Sequence, residues 1–453
     1  MKNMVFYLYF YRKIIMTMIQ EIRFKNFLSF KDEVKLSFEA TKDTFAENYQ
    51  VVTVNENVRL LRFAIVYGFN ASGKSNLLKA FQFLSDFWFA QRKDMDDKTG
   101  IIPFKLDQYS ASEHSFFELL FFVGNTKYAY KLELDRDTIY HEKLSYYKST
   151  QPIMLFERTF DKGQSIINFG AVLKLNNAVK DRITLICLKN MSFFAARNQV
   201  NVSIPLIDDA KDWMKSKLVD IIGPNTPLTN LAQAMLSEDV ELGKYLIHFL
   251  RTADFNISNI KTEKKEEPVP ENLKDLILHS DRFPDRLKEQ LRKGLPGTII
   301  QTYLEHTVEN ENGKERYLMN SDNEEESQGT LRTLGLESVL YEALNKNQFL
   351  GIDEIETSLH PKLLEKILYE YLKTNSRSQL LVTTHNDGLL DLVDDLIRKD
   401  SVCFAEKNKA GVTEIYKLTD FRGINRLSSI REAYRNRRFG ATMKNDYGTE
   451  GLE

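Results

Sequence analysis

The sequence predicts an α/β fold built around a phosphate-binding loop, and three stretches carry that prediction. Residues Gly68–Ser75 read Gly-Phe-Asn-Ala-Ser-Gly-Lys-Ser, between the apolar run Leu61–Tyr67 and the helix-like Asn76–Phe81. Phe349–Glu354 reads as a buried strand that ends in two carboxylates, Asp353 and Glu354. Gln379–His385 is another β-type run with a polar end, Thr383-Thr384-His385.

The first stretch is a complete P-loop in the strand–loop–helix setting that the motif requires. Its glycines let backbone N–H groups curl around a phosphate, and the following helix adds the positive end of its dipole. Gly68, Asn70, Ala71, Ser72, Gly73, Lys74, Ser75 and Asn76 are therefore the expected nucleotide contacts. Lys74 would reach the β- and γ-phosphates, and the Ser75 hydroxyl would ligate Mg2+. The bland alternative is a glycine-rich turn that matches by chance, and the flanking strand and helix weigh against it.

Asp353, at a strand tip, would hold the same Mg2+ opposite Ser75, directly or through water. Glu354 beside it could polarise the attacking water, although many solvated loops also carry Asp-Glu. His385 could bond a γ-phosphate, or be an ordinary satisfied histidine at a strand end. Upstream, Glu326–Leu331 contains Ser327 and Gly329 at a turn that opens a helix, either an anion site or a plain helix cap. Between the two late strands lies Glu356-Thr357-Ser358-Leu359-His360-Pro361.

In this order the pieces resemble the ABC-type ATPases, and within them the lineage of SMC proteins, DNA-break-repair relatives and OLD nucleases. The single-chain "AAA family ATPase" branch of bacterial anti-phage defence and abortive-infection systems is the most similar. The resemblance runs from about Met18 to about Ala441 apart from a middle insert. Ile22–Phe30 resembles the first strand and adenine-side loop; Phe404–Lys407 and Tyr434–Ala441 resemble the family's ending. The resemblance implies a P-loop NTPase of ABC/SMC-head type, a β-rich lobe plus an α/β lobe with a helical insert. It also implies ATP and Mg2+ as ligands and a head that works as a homodimer or higher homo-oligomer. Glu354 would then be the catalytic base and His385 the switch residue. Ser327 and Gly329 would serve the nucleotide of the other subunit, and Ser358, Leu359 and His360 would form the loop between the two sites. The turn departs from the Leu-Ser-Gly-Gly-Gln of transporters, and Gln108 is a weak candidate for the glutamine that links nucleotide to insert.

The 453 residues allow two or three domains. We expect an N-terminal extension over 1–17, the first part of the ATPase head over 18–183, a helical insert over 184–296 and the rest of the head over 297–453. With 42% hydrophobic and 28% charged residues and a net charge of −2, the chain is not a basic nucleic-acid binder as a whole. Any DNA contact must come from a local patch, such as the tail Arg431, Arg435, Arg437, Arg438 and Lys444, whose bland reading is a solvated helix face. Cys187 and Cys403, the 2 cysteines, lie in apolar runs and read as buried thiols of a cytoplasmic protein. Val5–Tyr11 is too short to span a bilayer, so no membrane association is expected.

Phe116–Val123 and Tyr128–Leu134 flank Gly124-Asn125 and read as a hairpin whose aromatics form core and cross-strand pairs. Ile207–Met214 and Leu231–Leu236 have helical apolar spacing. Lys261–Pro270, charged and broken by proline, reads as a solvated linker. The stretch after His385 is short for a Toprim domain, so the chain is not expected to be a nuclease. Three functions remain open: a nucleotide-switched sensor in anti-phage defence that controls a separate effector, an SMC-like DNA-repair or DNA-binding ATPase, and, least favoured, a transporter ATPase subunit.

Overall fold

The computed structural model describes residues 17–55, 57–253, 255–267, 297–311, 313–322 and 325–442, with the isolated positions 271, 274, 278, 289, 292 and 293. Most of the expected N-terminal extension, Pro268–Pro270 of the expected linker, and Lys444 lie outside the described residues. The chain forms two compact units. The first comprises residues 1–224, 343–357 and 368–453; the second comprises 225–342 and 358–367.

In the first unit, a seven-stranded antiparallel sheet is built from β1 (Thr17–Lys25), β2 (Val34–Ser37), β6 (Ser115–Val123), β7 (Thr126–Leu134), β8 (Ile139–Tyr147), β9 (Pro152–Asp161) and β10 (Gln164–Phe169). Its order is β10-β9-β8-β7-β6-β1-β2. The β6–β7 hairpin closes where expected: Val123 faces Thr126, and Gly124 takes a left-handed φ of 62°. Alternation along β6 buries Phe117, Leu119 and Phe121 on one face, and Phe121 stacks on Tyr128 across the hairpin. The ribbon β3 (Val51–Asn55) and β4 (Val58–Leu61) stands apart as a two-stranded sheet.

The second sheet of this unit has the order β14-β15-β5-β16-β17. Its strands are β5 (Phe63–Tyr67), β14 (Phe349–Ile352), β15 (Gln379–Thr384), β16 (Val402–Lys407) and β17 (Thr413–Lys417). The first four strands of that order run parallel and only β17 is antiparallel. All residues of β5, β14 and β15 are buried, as expected of parallel strands covered on both faces. The helix Lys74–Phe89 returns from β5 and buries Leu77, Leu78, Phe81, Leu84 and Trp88 in a core shared with Phe24, Phe117, Phe349 and Leu381.

This is the α/β fold class expected from the sequence. It puts the carboxyl ends of four parallel strands on one edge, where open α/β sheets bind ligands. Tyr67, Ile352, Thr384 and Lys407 are the last residues of those strands, so the P-loop, Asp353 and His385 all leave the sheet at that edge.

The second unit contains the helices Leu228–Leu236 and Val240–Thr252 and a three-stranded antiparallel sheet, β11 (Ile257–Glu267), β12 (Gly297–Asn310) and β13 (Gly313–Asn320). Its core gathers Leu242, Leu246, Leu250, Ile257, Leu304 and Leu334. Two expectations are corrected here. Lys261–Glu267 is not a linker but part of β11, paired with β12 in the register Lys261 to Tyr303 and Lys264 to Ile300. Ladder hydrogen bonds to a distant strand outweigh the loop-like composition. The segment expected as a helical insert thus carries β11 beside its helices. The compact units also divide the chain differently from the expected segments, since 184–224 lie in the first unit and 297–342 in the second. Cys187 and Cys403 are free and buried, and burial pushes both thiols up to about 11. Among the described residues, no helix is long and apolar enough to cross a membrane.

Candidate functional site

The P-loop is shaped by contacts from behind it. Gly73 has φ 104° and heads its helix without a side-chain cap. A Cβ at Gly73 would lie 2.3 Å from Thr413 Oγ1 and 2.9 Å from Ser29 Oγ, so only glycine fits. Thr413 Oγ1 lies 2.8 Å from Ser29 Oγ and 2.9 Å from the Ser72 carbonyl, and Ser29 Oγ also accepts from Asn76 Nδ2 at 2.8 Å. A Cβ at Gly68 would meet the Ala405 carbonyl at 2.5 Å. The Phe69 N–H donates to the Ala441 carbonyl at 3.1 Å. The loop is thus held by β16, β17, the segment after β1 and the C-terminal segment.

Lys74 is 5% exposed and donates to the carbonyls of Gly68 at 2.7 Å and Phe69 at 3.2 Å. Burial pushes its ammonium down, while the Asp353, Glu354 and Glu356 carboxylates oppose that shift. A buried ammonium at the P-loop is a charge-assisted donor of the kind that phosphate oxygens accept from. The cavity here, about 180 Å3, is lined by Asn70, Ala71, Ser72, Gly73, Lys74, Ser75, Asn76, Glu354 and Lys407.

Asp353 and Glu354 are fixed by β15. Thr383 Oγ1 donates to Asp353 Oδ1 at 2.5 Å, and the Glu354 N–H donates to Thr383 Oγ1 at 2.9 Å. Glu354 has a left-handed φ of 48°, an uncommon conformation for a residue with a side chain. Ser75 and Asp353 offer hard oxygen donors of the kind Mg2+ takes. Among the described residues, no group of three or more His, Cys, Asp and Glu could hold a metal.

His385 follows β15. Its backbone N–H donates to Glu356 Oε1 at 2.8 Å, and its Nδ1 lies 2.9 Å from the same oxygen. Beyond it, Asp387 and Asp391 are held by the helix Ile430–Arg435. Arg431 Nε lies 3.1 Å from Asp387 Oδ1, Arg431 Nη1 2.7 Å from Asp391 Oδ2, and Arg435 Nε 2.5 Å from Asp387 Oδ2. Burial of Asp387 is outweighed by Arg435 and Arg431, which hold its carboxyl below the usual range. Two arginines of the basic tail are therefore engaged within the protein.

Ser327, Gly329, Ser358, Leu359 and His360 belong to the second unit. Ser327 is the N-cap of the helix Gln328–Lys346: its Oγ accepts the Thr330 N–H at 3.0 Å. A Cβ at Gly329 would come 3.1 Å from the Ser358 carbonyl, so the turn and the Ser358-Leu359-His360 loop adjoin. Ser358 has φ 61°, and the His360 carbonyl accepts from Leu363 and Leu364 at the head of the helix Pro361–Lys373. Gln108 is exposed and does not line the P-loop cavity.

Sequence reasoning gave no site role to Lys407, Thr413 or Glu356, and placed Ser29 only in the segment resembling the adenine-side loop. Lys407 closes the cavity and ends a strand parallel to β5, which is the signal that could have found it. The other three act through pairings that no local pattern reveals.

The family profile described as "AAA domain, putative AbiEii toxin, Type IV TA system" matches residues 63–168 and 225–391. No curated protein matches the chain. Among solved structures, the chain is similar to the SMC head domain from Thermotoga maritima, with 14% identity over 88% of this chain and 98% of that one and a TM-score of 0.38. It is also similar to an SMC head bound to the C-winged helix domain of ScpA, with 12% identity, 89% and 99% covered and a TM-score of 0.42. A third is an SMC head with an extended coiled coil bound to the C-terminal domain of ScpA from Pyrococcus furiosus, with 13% identity, 93% and 99% covered and a TM-score of 0.35.

Proposed function

We propose, from the premise that this chain belongs to the AAA-domain family described as "AAA domain, putative AbiEii toxin, Type IV TA system", that it is an ATP-hydrolysing switch. The observation that carries the reading is one cavity lined by every residue from Asn70 to Asn76 and by Glu354. The triphosphate lies against the loop N–H groups, and Lys74 exchanges the carbonyls of Gly68 and Phe69 for phosphate oxygens. Ser75 and Asp353 would hold Mg2+, which when bound would supply neutralisation of the developing phosphate charge. Glu354 takes the proton of the attacking water, and His385 contacts the γ-phosphate.

Ser327 and Gly329 complete the site from a second copy, with Ser358, Leu359 and His360 running between the two nucleotides. The family's description as a toxin of a toxin–antitoxin system favours a role in prokaryotic defence, where the paired state controls a separate effector.

The test is mutational. Lys74→Ala abolishes ATP binding and turnover with the fold intact by circular dichroism. Glu354→Gln lowers turnover by ~10²-fold or more and gives a larger species on size-exclusion with ATP. Mixing Lys74→Ala with Ser327→Arg chains restores partial activity, because one composite site is then free of both changes. Normal turnover in Lys74→Ala sinks the ATPase reading. Ser327 found beside its own Lys74 in an ATP-bound structure sinks the shared site.

A further inference from the structure

We infer that Glu356 is a positioning residue that holds the His385 imidazole in one orientation and one tautomer; the inference rests on the reading of His385 as the γ-phosphate contact. The turn that carries Glu356 is bolted to the end of β15. The Glu354 N–H donates to Thr383 Oγ1 at 2.9 Å, the Ile355 N–H donates to the Thr383 carbonyl at 3.2 Å, and the Ile355 side chain is fully buried. Those bonds bring the Glu356 carboxylate under His385. The Glu356 side chain is 10% exposed and that of His385 is 53% exposed, so one end of the pair is anchored and the other faces out.

The way this carboxylate is satisfied separates it from the structural carboxylates of the same unit. Asp400, whose side chain is only 1% exposed, takes four donors: Arg398 Nε and Nη2, and Thr41 N and Oγ1. Glu142, fully buried, takes Tyr130 Oη, Arg158 Nη1 and the Phe193 N–H. Among the described residues, the donors to Glu356 are the backbone N–H and Nδ1 of His385, both on Oε1. Its Oε2 is buried without a partner, as is the hydroxyl of Tyr67 at the end of β5. A carboxylate buried to stabilise a fold needs more donors than this. Its bonds are spent on one histidine.

The chemical consequence follows from the donor inventory. An ionised carboxylate only accepts, so the ring nitrogen facing it, Nδ1, carries the proton. Nε2 is then the ring nitrogen turned away from Glu356, toward the exposed side. Fixing a histidine through its second nitrogen is how proteins set tautomer and aim together. Because the P-loop carries nucleotide binding, loss of this hold acts on turnover and not on affinity.

Three measurements test the inference. Glu356→Ala lowers kcat for ATP roughly ten- to hundredfold, the range for losing a group that orients a histidine, while ATP affinity by fluorescent-nucleotide titration stays within about threefold. In a His385→Ala background the same substitution adds less than about a twofold further loss, because the residue it serves is gone. The 15N shifts of the His385 ring report an Nδ1–H tautomer in the unaltered protein and a shift toward Nε2–H in Glu356→Ala. Glu356→Gln, of equal size and still an acceptor, stays within a few-fold of full rate, and it replaces the alanine variant in every comparison if that variant melts early. Equal losses in the two backgrounds, ATP affinity that falls in step with rate, or an Nε2–H tautomer in the unaltered protein would overturn it. The ring shifts need no ATPase activity, so an inactive protein with Nδ1–H fails the function proposed above and leaves the positioning role standing.

Discussion

Two helix N-termini in this chain both open with a serine and a glycine, yet they are finished in opposite ways. The helix Gln328–Lys346 is capped by its own Ser327, whose hydroxyl accepts the Thr330 N–H. The helix Lys74–Phe89 has no side-chain cap; Gly73 stands at its head in a left-handed conformation. A helix start has up to four N–H groups without intrahelical partners. If a cap takes them, they are no longer available to an anion. At the P-loop the support has moved behind the loop, to Thr413, Ser29, Ala405 and Ala441, and the front is left open. The lesson is that a phosphate-binding helix end buys its openness with distant contacts, whereas a capped end is locally self-sufficient.

The comparison breaks most easily at Gly73. Gly73→Ala places a methyl 2.3 Å from Thr413 Oγ1 in a backbone region that costs an L-residue about 1–2 kcal/mol. We expect ATP affinity to fall by more than ~100-fold, at about 1.4 kcal/mol per factor of ten, measured by calorimetric titration. An affinity within tenfold would mean that the loop re-forms without its backing.

Thr413→Val keeps the shape and removes the hydroxyl that joins Ser29 to Ser72. Losing a buried hydrogen-bond hub costs about 1–2 kcal/mol, which should appear as roughly tenfold weaker ATP binding. If only the melting temperature moves, the hub supports the fold and not the loop.

A pH titration sharpens the contrast further. Burial lowers the Lys74 ammonium below the ordinary lysine range of about 10.4. Its charge is lost on raising the pH sooner than that of an exposed lysine. ATP affinity should therefore decline as the pH is raised, with the decline beginning below the ordinary lysine range of about 10.4. Lys74→Arg, which stays charged, should flatten whatever part of that decline belongs to residue 74.

The smallest effect on binding is expected at the other helix. Ser327→Ala removes an N-cap worth ~1 kcal/mol, readable as a lower melting temperature or faster amide exchange near Thr330. ATP affinity of the single chain should stay within about twofold, while turnover falls if the turn serves a second copy. A large loss of affinity in the monomer would erase the distinction between the two ends.

What was legible in the sequence follows the same division. Gly68–Ser75, Asp353-Glu354 and His385 were readable because each is a short pattern at the end of an apolar strand run. Ser327 was readable both as a cap and as an anion site, and the observed cap satisfies the first without deciding the second. Thr413 and Ser29 were not legible, because they meet only when β17 and the segment after β1 converge behind the loop. Glu356 stood in plain view two residues from Glu354, but its partner His385 follows another strand, β15. Lys261–Glu267 was misread because lysine and glutamate favour loops until a neighbouring strand supplies the ladder.

The strand order of the parallel sheet has a consequence for synthesis. β5 emerges early, but its neighbours β15 and β16 are made far later; Gln379 Nε2 reaches back to the Leu61 carbonyl across 318 residues. At about 5–20 residues per second, the P-loop strand waits roughly 15–60 s on the ribosome before its sheet can close. The Thr413 and Ala441 contacts arrive later still. A nascent chain therefore cannot assemble its nucleotide site until β14–β17 have been made, and the apolar edge of β5 must be shielded until then. Translation order thus delays the P-loop site until β17 and Ala441 have been made.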